Sequence, residues 1–280
     1  MFNILLLPFL ACFVIAGIHA YLGMHVIKRG VIFVDLALAQ TAALGTLAGL
    51  AFGVPLHSTG SYVISLSFTL AGALFFAGVR SLDKIVPQEA VIGITYVFAA
   101  AASILILSKA PSEAEHIKDM LVGNILFVKP GDVVRIAVVY VLIGAFHYIF
   151  RKKFLLVTED SDRASREKTN VTLWDFLFYA TFGAVVTLSV EIAGVLLVFS
   201  FLIIPAICSM MAAVNLRRRF FISWGLGIIG SIGGMALSVY KDLPTGASIV
   251  AVFGFIFALF LIVKSVSQKN KSKVLINRTN

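Results

Sequence analysis

The chain has 280 residues, of which 60% are hydrophobic and only 13% charged, whereas a soluble domain carries roughly a quarter charged residues. Too few charges remain to clothe a water-facing surface, which excludes a soluble enzyme or binding module. The net charge of +9 therefore points to basic loops on the cytoplasmic side of a membrane rather than to nucleic acid, and no nucleic-acid partner is expected.

A helix needs about 20 apolar residues to cross the hydrocarbon core. Nine segments reach that length: 4–23, 31–52, 61–79, 86–108, 132–150, 172–190, 192–213, 220–239 and 245–263. The runs are continuous rather than alternating over about 10 residues, which argues against strands. The expected fold class is all-α integral membrane, a polytopic bundle of nine transmembrane helices. It forms a single membrane domain over 1–264, followed by a basic tail over 265–280. The opening MFNILLLPFLACFVIAG lacks a basic n-region and reads as a first span, not a cleaved signal. The junction LSVEIAGV between the sixth and seventh spans is barely long enough for a loop, and a broken helix there would reduce the count to eight.

Charge alternates between the connections. Lys28 and Arg29, Arg80 and Lys84, the group from Arg151 to Lys168, Arg217 to Arg219, and Lys264 with the tail together hold 18 of the 23 basic residues. This asymmetry places the N-terminus outside and the C-terminus in the cytoplasm.

In the second span, RGVIFVDLALAQTAALG sets Asp35 and Gln40 in an apolar run. A carboxylate deep in a span costs about 2.5–3.5 kcal/mol and usually faces a bundle interior or a water-filled path. Gln40 would lie about 7.5 Å further along and about 140° around the helix, so the two do not converge on one ion without distortion. A structural alternative stands beside each: a protonated or hydrogen-bonded Asp35, and an interhelical hydrogen bond for Gln40. Gly45, Gly49 and Gly53, spaced by four, read as a helix-packing face, either within the chain or between two copies.

Further along, His57 and the Glu113, Glu115, His116 and Asp119 group fall in loops on the outer side and could receive a cation, or simply be solvated. Glu191 stands at the outer end of the sixth and seventh spans, and Pro205 interrupts the seventh; broken helices beside acids mark substrate paths in transporters. The bland reading of Glu191 is a headgroup-level acid. The inner segment FLLVTEDSDRASREKTN, 154–170, predicts a short solvated helix capped by Thr158. Glu159, Asp160 and Asp162 come first, and Arg163, Arg166 and Lys168 last, matching the helix dipole. Glu159–Arg163 and Asp162–Arg166 are acid-first i,i+4 pairs.

Several motifs fail. GLGIIG at 225–230 matches GxGxxG but lies inside a span, so it reads as close helix packing. No GxxxxGK[ST], HExxH or CxxC occurs. ATP binding by a P-loop and zinc-protease chemistry are therefore not expected of this chain, and no catalytic residue is assigned.

Six blocks together resemble the family of ABC-importer permeases for divalent metals (zinc, manganese, iron). They are GMHVIKRGVIFVDLALAQTAALG, QEAVIGITYVFAAAASIL, LVGNILFVKPGDV, FLLVTEDSDRAS, AGVLLVFSFLIIPA and DLPTGASIV, in that order over roughly 15–260. The resemblance implies a multi-pass subunit of a prokaryotic cytoplasmic (inner) membrane, not itself an enzyme. It implies two cytoplasmic ATPase subunits, a second permease copy and an extracytoplasmic metal-binding protein. The divalent metal ion is cargo, and no permanently bound cofactor is implied. The coupling element would be 158–168, with Thr158, Glu159, Asp160, Asp162, Arg163, Ala164 and Arg166 facing the ATPase. Asp35, Gln40 and Glu191 would line the metal path.

Two positions depart from the family's pattern. After Ala164, where the family has Gly, come Ser165, Arg166, Glu167 and Lys168. Asp35 matches the family's Asp, but Gln40 stands where a His is expected, and an amide oxygen suits zinc less than imidazole does. A proton-coupled secondary transporter, with Asp35 as proton carrier, and an ABC permease for a metal chelate such as a siderophore or cobalamin remain as alternatives.

Overall fold

The computed structural model describes residues 2–55, 58–83, 85–108 and 125–279. His57 and the Glu113, Glu115, His116 and Asp119 group lie outside the described residues. The helices are α1 (Phe2–Arg29), α2 (Val34–Ala51), α3 (Thr59–Val79), α4 (Gln88–Leu107), α5 (Pro130–Ile149), α6 (Arg151–Glu159), α7 (Ser161–Arg166), α8 (Val171–Ala193), α9 (Val195–Ala212), α10 (Leu216–Lys241) and α11 (Thr245–Thr279). Among the described residues, nine of these are long and apolar enough to cross a membrane, and α6 and α7 are the two that are not. The regular structure of the described residues is thus all-helical, with the expected number of candidate spans.

Local chemistry sets the ends. Gly30, at φ +69°, closes α1: its N–H donates to the Ile27 carbonyl at 3.1 Å, and that of Val31 to Val26 at 3.2 Å. This pair of hydrogen bonds around a left-handed glycine caps the last carbonyls of a helix. The hydropathy-based end at residue 23 was early because His25, Lys28 and Arg29 lower the apolar average, whereas the backbone stays helical until Gly30. Gly53, at φ +80°, ends α2 in the same way, through Gly53 N–H to Leu50 at 2.8 Å and Val54 N–H to Gly49 at 3.0 Å.

That placement splits the expected glycine face. A Cβ on Gly45 would lie 2.9 Å from Phe68 Cβ, and one on Gly49 would lie 3.1 Å from Ile64 Cδ1, so both bring α2 against α3. Gly53 is not on that face: it lies past the helix end, and a Cβ there would meet nothing within 4 Å. The spacing of four simply ran on beyond the point where the helix stops. Of the GLGIIG glycines, Gly227 packs against Ala16 of α1 and Gly230 against Phe253 of α11.

The junction between α8 and α9 is the single residue Gly194, at φ 78° and ψ 158°. That region of backbone space is essentially reserved for glycine. Gly194→Ala is therefore expected to cost about 1–3 kcal/mol, read as a lowered melting temperature of the detergent-solubilised protein.

Two groups of helices pack together. α2 contacts α3, α4 and α8, while α1 contacts α9, α10 and α5, and α9 also touches α10 and α11. Of the nine spans, α2 is the most enclosed, with 72% of its window buried, against 17% for α4, α5 and α11. The helix that carries Asp35 and Gln40 is thus the one most shielded by protein.

Candidate metal path and coupling segment

Asp35 occupies the first turn of α2 and is 2% exposed; Gln40, on the same helix, is 9% exposed. Asp35 Oδ1 has no hydrogen-bond partner among the described residues. Leaving a buried acceptor unmet costs about 1–3 kcal/mol, so the fold tolerates a deficit here. The preceding turn is held on two sides. The Phe33 N–H donates to Glu89 Oε1 of α4 at 3.0 Å, and the Phe33 ring stacks on Phe199 of α9 at 5.9 Å. Glu89 thereby sets a second carboxylate against the turn that leads to Asp35. Glu89 carries no assignment in the reading of the sequence given above. Two carboxylates and an amide are oxygen donors, which suit harder cations. Among the described residues, no three His, Cys, Asp or Glu side chains are gathered to hold a metal ion.

Glu191 is not brought to Asp35. It lies in the last turn of α8, with its carboxylate 3.5 Å from Arg135 of α5; the Arg135 guanidinium also sits 4.9 Å from the Tyr62 ring centroid. Asp175 lies in the second turn of the same helix, and 16 residues of α-helix separate the two acids by about 24 Å.

The inner segment folds differently from the expected single helix. Asp160, at φ −154° and ψ 89°, breaks it into α6 and α7, and its Oδ1 accepts from the Arg163 N–H at 2.8 Å. Asp160, not Thr158, is the capping residue. Of the two expected i,i+4 pairs, neither forms among the described residues: Glu159 pairs with Lys28 at 2.5 Å, and Arg163 with Glu167 at 2.8 Å. The break at Asp160 removes the helical register between 159 and 163, and Glu159 turns toward the end of α1. Ala164 is buried, while Asp162, Arg163, Ser165 and Arg166 are exposed. α7 therefore seats one small side chain inward and presents charge outward.

Thr158 is drawn inward and is 6% exposed. Its Oγ1 accepts from Arg29 Nε at 3.0 Å and lies 2.8 Å from His25 Nδ1. Arg29 also donates from Nη1 to Asp175 Oδ1 at 2.6 Å, and Arg80 donates from Nη1 to the same oxygen at 2.5 Å. The second arm of Arg80, Nη2, donates to the Val157 carbonyl at 3.0 Å. Arg29 and Asp175 are buried to 1% and 0% exposure, and the guanidinium of Arg29 lies 3.9 Å from the centroid of the Phe178 ring. One carboxylate of α8 thus joins the ends of α1 and α3, and both arginines also grip α6. Sequence reasoning passed over Asp175, although it falls within the 172–190 span and is the same kind of signal as Asp35.

The scattered histidines partly converge nearby. His147 of α5 lies 3.2 Å from the Tyr21 hydroxyl and 2.8 Å from Thr181 Oγ1, and its ring stacks on Phe154 of α6 at 4.0 Å. These contacts tie α1, α5, α6 and α8 together at the same end of the bundle.

The ABC 3 transport family matches residues 1–264. The manganese transport system membrane protein MntC of Listeria innocua is 24% identical over 86% of this chain and 83% of its own. The chelated iron transport system membrane protein YfeC of Yersinia pestis is 23% identical, over 87% and 81%. The fold is shared with a solved structure, PsaBC from Streptococcus pneumoniae in complex with Fab, at a TM-score of 0.75 and 23% identity, over 93% of this chain and 91% of that one. The chain, with nine candidate spans among its described residues and a family match over residues 1–264, belongs to the ABC 3 transport family.

Proposed function

We propose that this chain is the membrane-spanning permease subunit of an ATP-driven importer for a divalent metal ion (zinc, manganese or iron). The observation that carries the reading is Asp35: a buried carboxyl with an unmet oxygen, on the most enclosed span of a chain from this family. The relatives named for manganese and for chelated iron support a metal as cargo. The metal is handed over outside, passes Asp35 with Gln40 as a neighbouring amide, and leaves when ATP binding and release switch the access side. Glu191, with Arg135 at the far end of the bundle, belongs to the entry side.

In this reading two permease copies assemble with two ATPase subunits and an extracytoplasmic metal-binding protein, in the cytoplasmic membrane of a prokaryote. The end that holds Lys28, Arg29, Arg80 and α6–α7 faces the cytoplasm, which sets the N-terminus outside and the C-terminus inside. Exposed Asp162, Arg163 and Arg166 meet the ATPase, and buried Ala164 seats α7 against the bundle.

The test is the permease reconstituted in liposomes with its ATPase and binding protein. ATP-dependent accumulation of manganese, iron(II) or zinc is expected. Uptake that needs no ATPase and collapses with an uncoupler would replace this reading with a proton-coupled carrier. Uptake only of a chelate would move the substrate class.

A further inference from the structure

We propose that Asp175 is a positioning residue that transmits movement of the α6–α7 segment to the membrane spans; this rests on the importer reading above. The geometry is that of a double clamp. Each of two arginines uses one arm on Asp175 and another on the last turn of α6. Arg29 reaches Asp175 Oδ1 through Nη1 and the Thr158 hydroxyl through Nε. Arg80 reaches the same oxygen through Nη1 and the Val157 carbonyl through Nη2. Arg29 ends α1, Arg80 follows α3, and Asp175 lies in the second turn of α8. A displacement of the last turn of α6 must therefore move the ends of α1 and α3 against α8, or break a charge-assisted hydrogen bond in a buried setting. Such bonds are roughly twice as strong as neutral ones.

The clamp also leads toward the candidate metal path. Arg29 is separated from Asp35 only by the turn over residues 30–33 and the first residue of α2, Val34. The near side of that turn is fixed through Arg29, and its far side by the Phe33 N–H to Glu89 bond. A shift of Arg29 is passed through a short, doubly anchored turn to the first turn of α2. Asp175 Oδ2 and Arg29 Nη2 have no hydrogen-bond partner among the described residues. Spare bonding capacity of that kind lets the clamp re-pair in a second arrangement, which a two-state device requires.

The experiment uses the complete transporter in liposomes, with the ion that the wild type accumulates among manganese, iron(II) and zinc. Metal uptake and ATP hydrolysis are measured on the same vesicles for wild type, Asp175→Asn and Arg80→Lys. The lysine keeps the charge but lacks the fork that spans two acceptors. Both variants are expected to hydrolyse ATP close to the wild-type rate while ions moved per ATP fall by about tenfold or more, within the usual range of a coupling free energy. A purely structural role would lower both activities together and leave the ratio unchanged, and that result, like an unaltered ratio at full activity, overturns the proposal. If Asp175→Asn fails to assemble, Arg80→Lys decides alone. Wild-type vesicles without ATP-dependent uptake would instead overturn the importer reading itself.

Discussion

Replacing Asp35 by Asn is expected to cut metal uptake by about a hundredfold or more, equivalent to ~2.7 kcal/mol of lost transition-state stabilisation, while the complex still assembles. The substitution is nearly isosteric, so the packing of α2 is kept and only the charge is removed. A passing dication must shed part of its hydration shell, and a carboxylate in a low-dielectric setting is the group that can offset that loss. Because Asp35 Oδ1 has no internal partner among the described residues, neutralising it breaks no described hydrogen bond at that oxygen, and folding should not suffer. The measurement is initial uptake at matched complex content, with thermal stability as control. Unchanged uptake would remove Asp35 from the path. Gln40→His gives the complementary readout: restoring the imidazole of the family's pattern should shift preference toward zinc, since imidazole suits that metal.

Reversing charge on α7, as the double variant Arg163→Glu with Arg166→Glu, is expected to weaken ATPase binding by about tenfold or more, ~1.4 kcal/mol. Both side chains are exposed, and of the two only Arg163 has an ionic partner among the described residues, the neighbouring Glu167. Their removal therefore costs the isolated subunit little, since exposed pairs are worth about 0–1 kcal/mol. In the proposed complex the reversed charges would meet a surface matched to the originals, where like charges cost far more. Co-purification of the ATPase at low and moderate salt reads the effect. Retention of the ATPase at wild-type levels would move the docking site elsewhere.

These two sites differ in how legible they were in the sequence. Asp35 stood out because a lone carboxylate in an apolar run violates a local rule, and the structure places it buried. Asp175 violated the same rule and was missed, since it sits three residues inside a predicted boundary where an interfacial position was equally natural. Its meaning comes from Arg29 and Arg80, which lie 146 and 95 residues away in sequence. Thr158 was read as a cap from its place before three acids. Its hydroxyl was instead taken by Arg29 and His25, partners on a helix that begins the chain. Gly53 was read as packing because it continued a spacing of four, but a left-handed backbone, not a neighbour, is what requires it.

The sequence by itself determined the membrane class, the candidate spans and the basic face, because the bilayer judges each segment separately. A span must be long and apolar in its own right, and its flanking Lys and Arg set its direction, so local sums suffice. It also carried enough ordered blocks to indicate the family. Tertiary structure alone decided which polar groups meet: Asp175 with two arginines, Thr158 between His25 and Arg29, Glu191 with Arg135, and Glu89 beside the turn that leads to Asp35. The reason is physical. Lipid leaves a buried polar group only protein partners, and which partner it finds depends on how helices far apart in the chain are packed side by side.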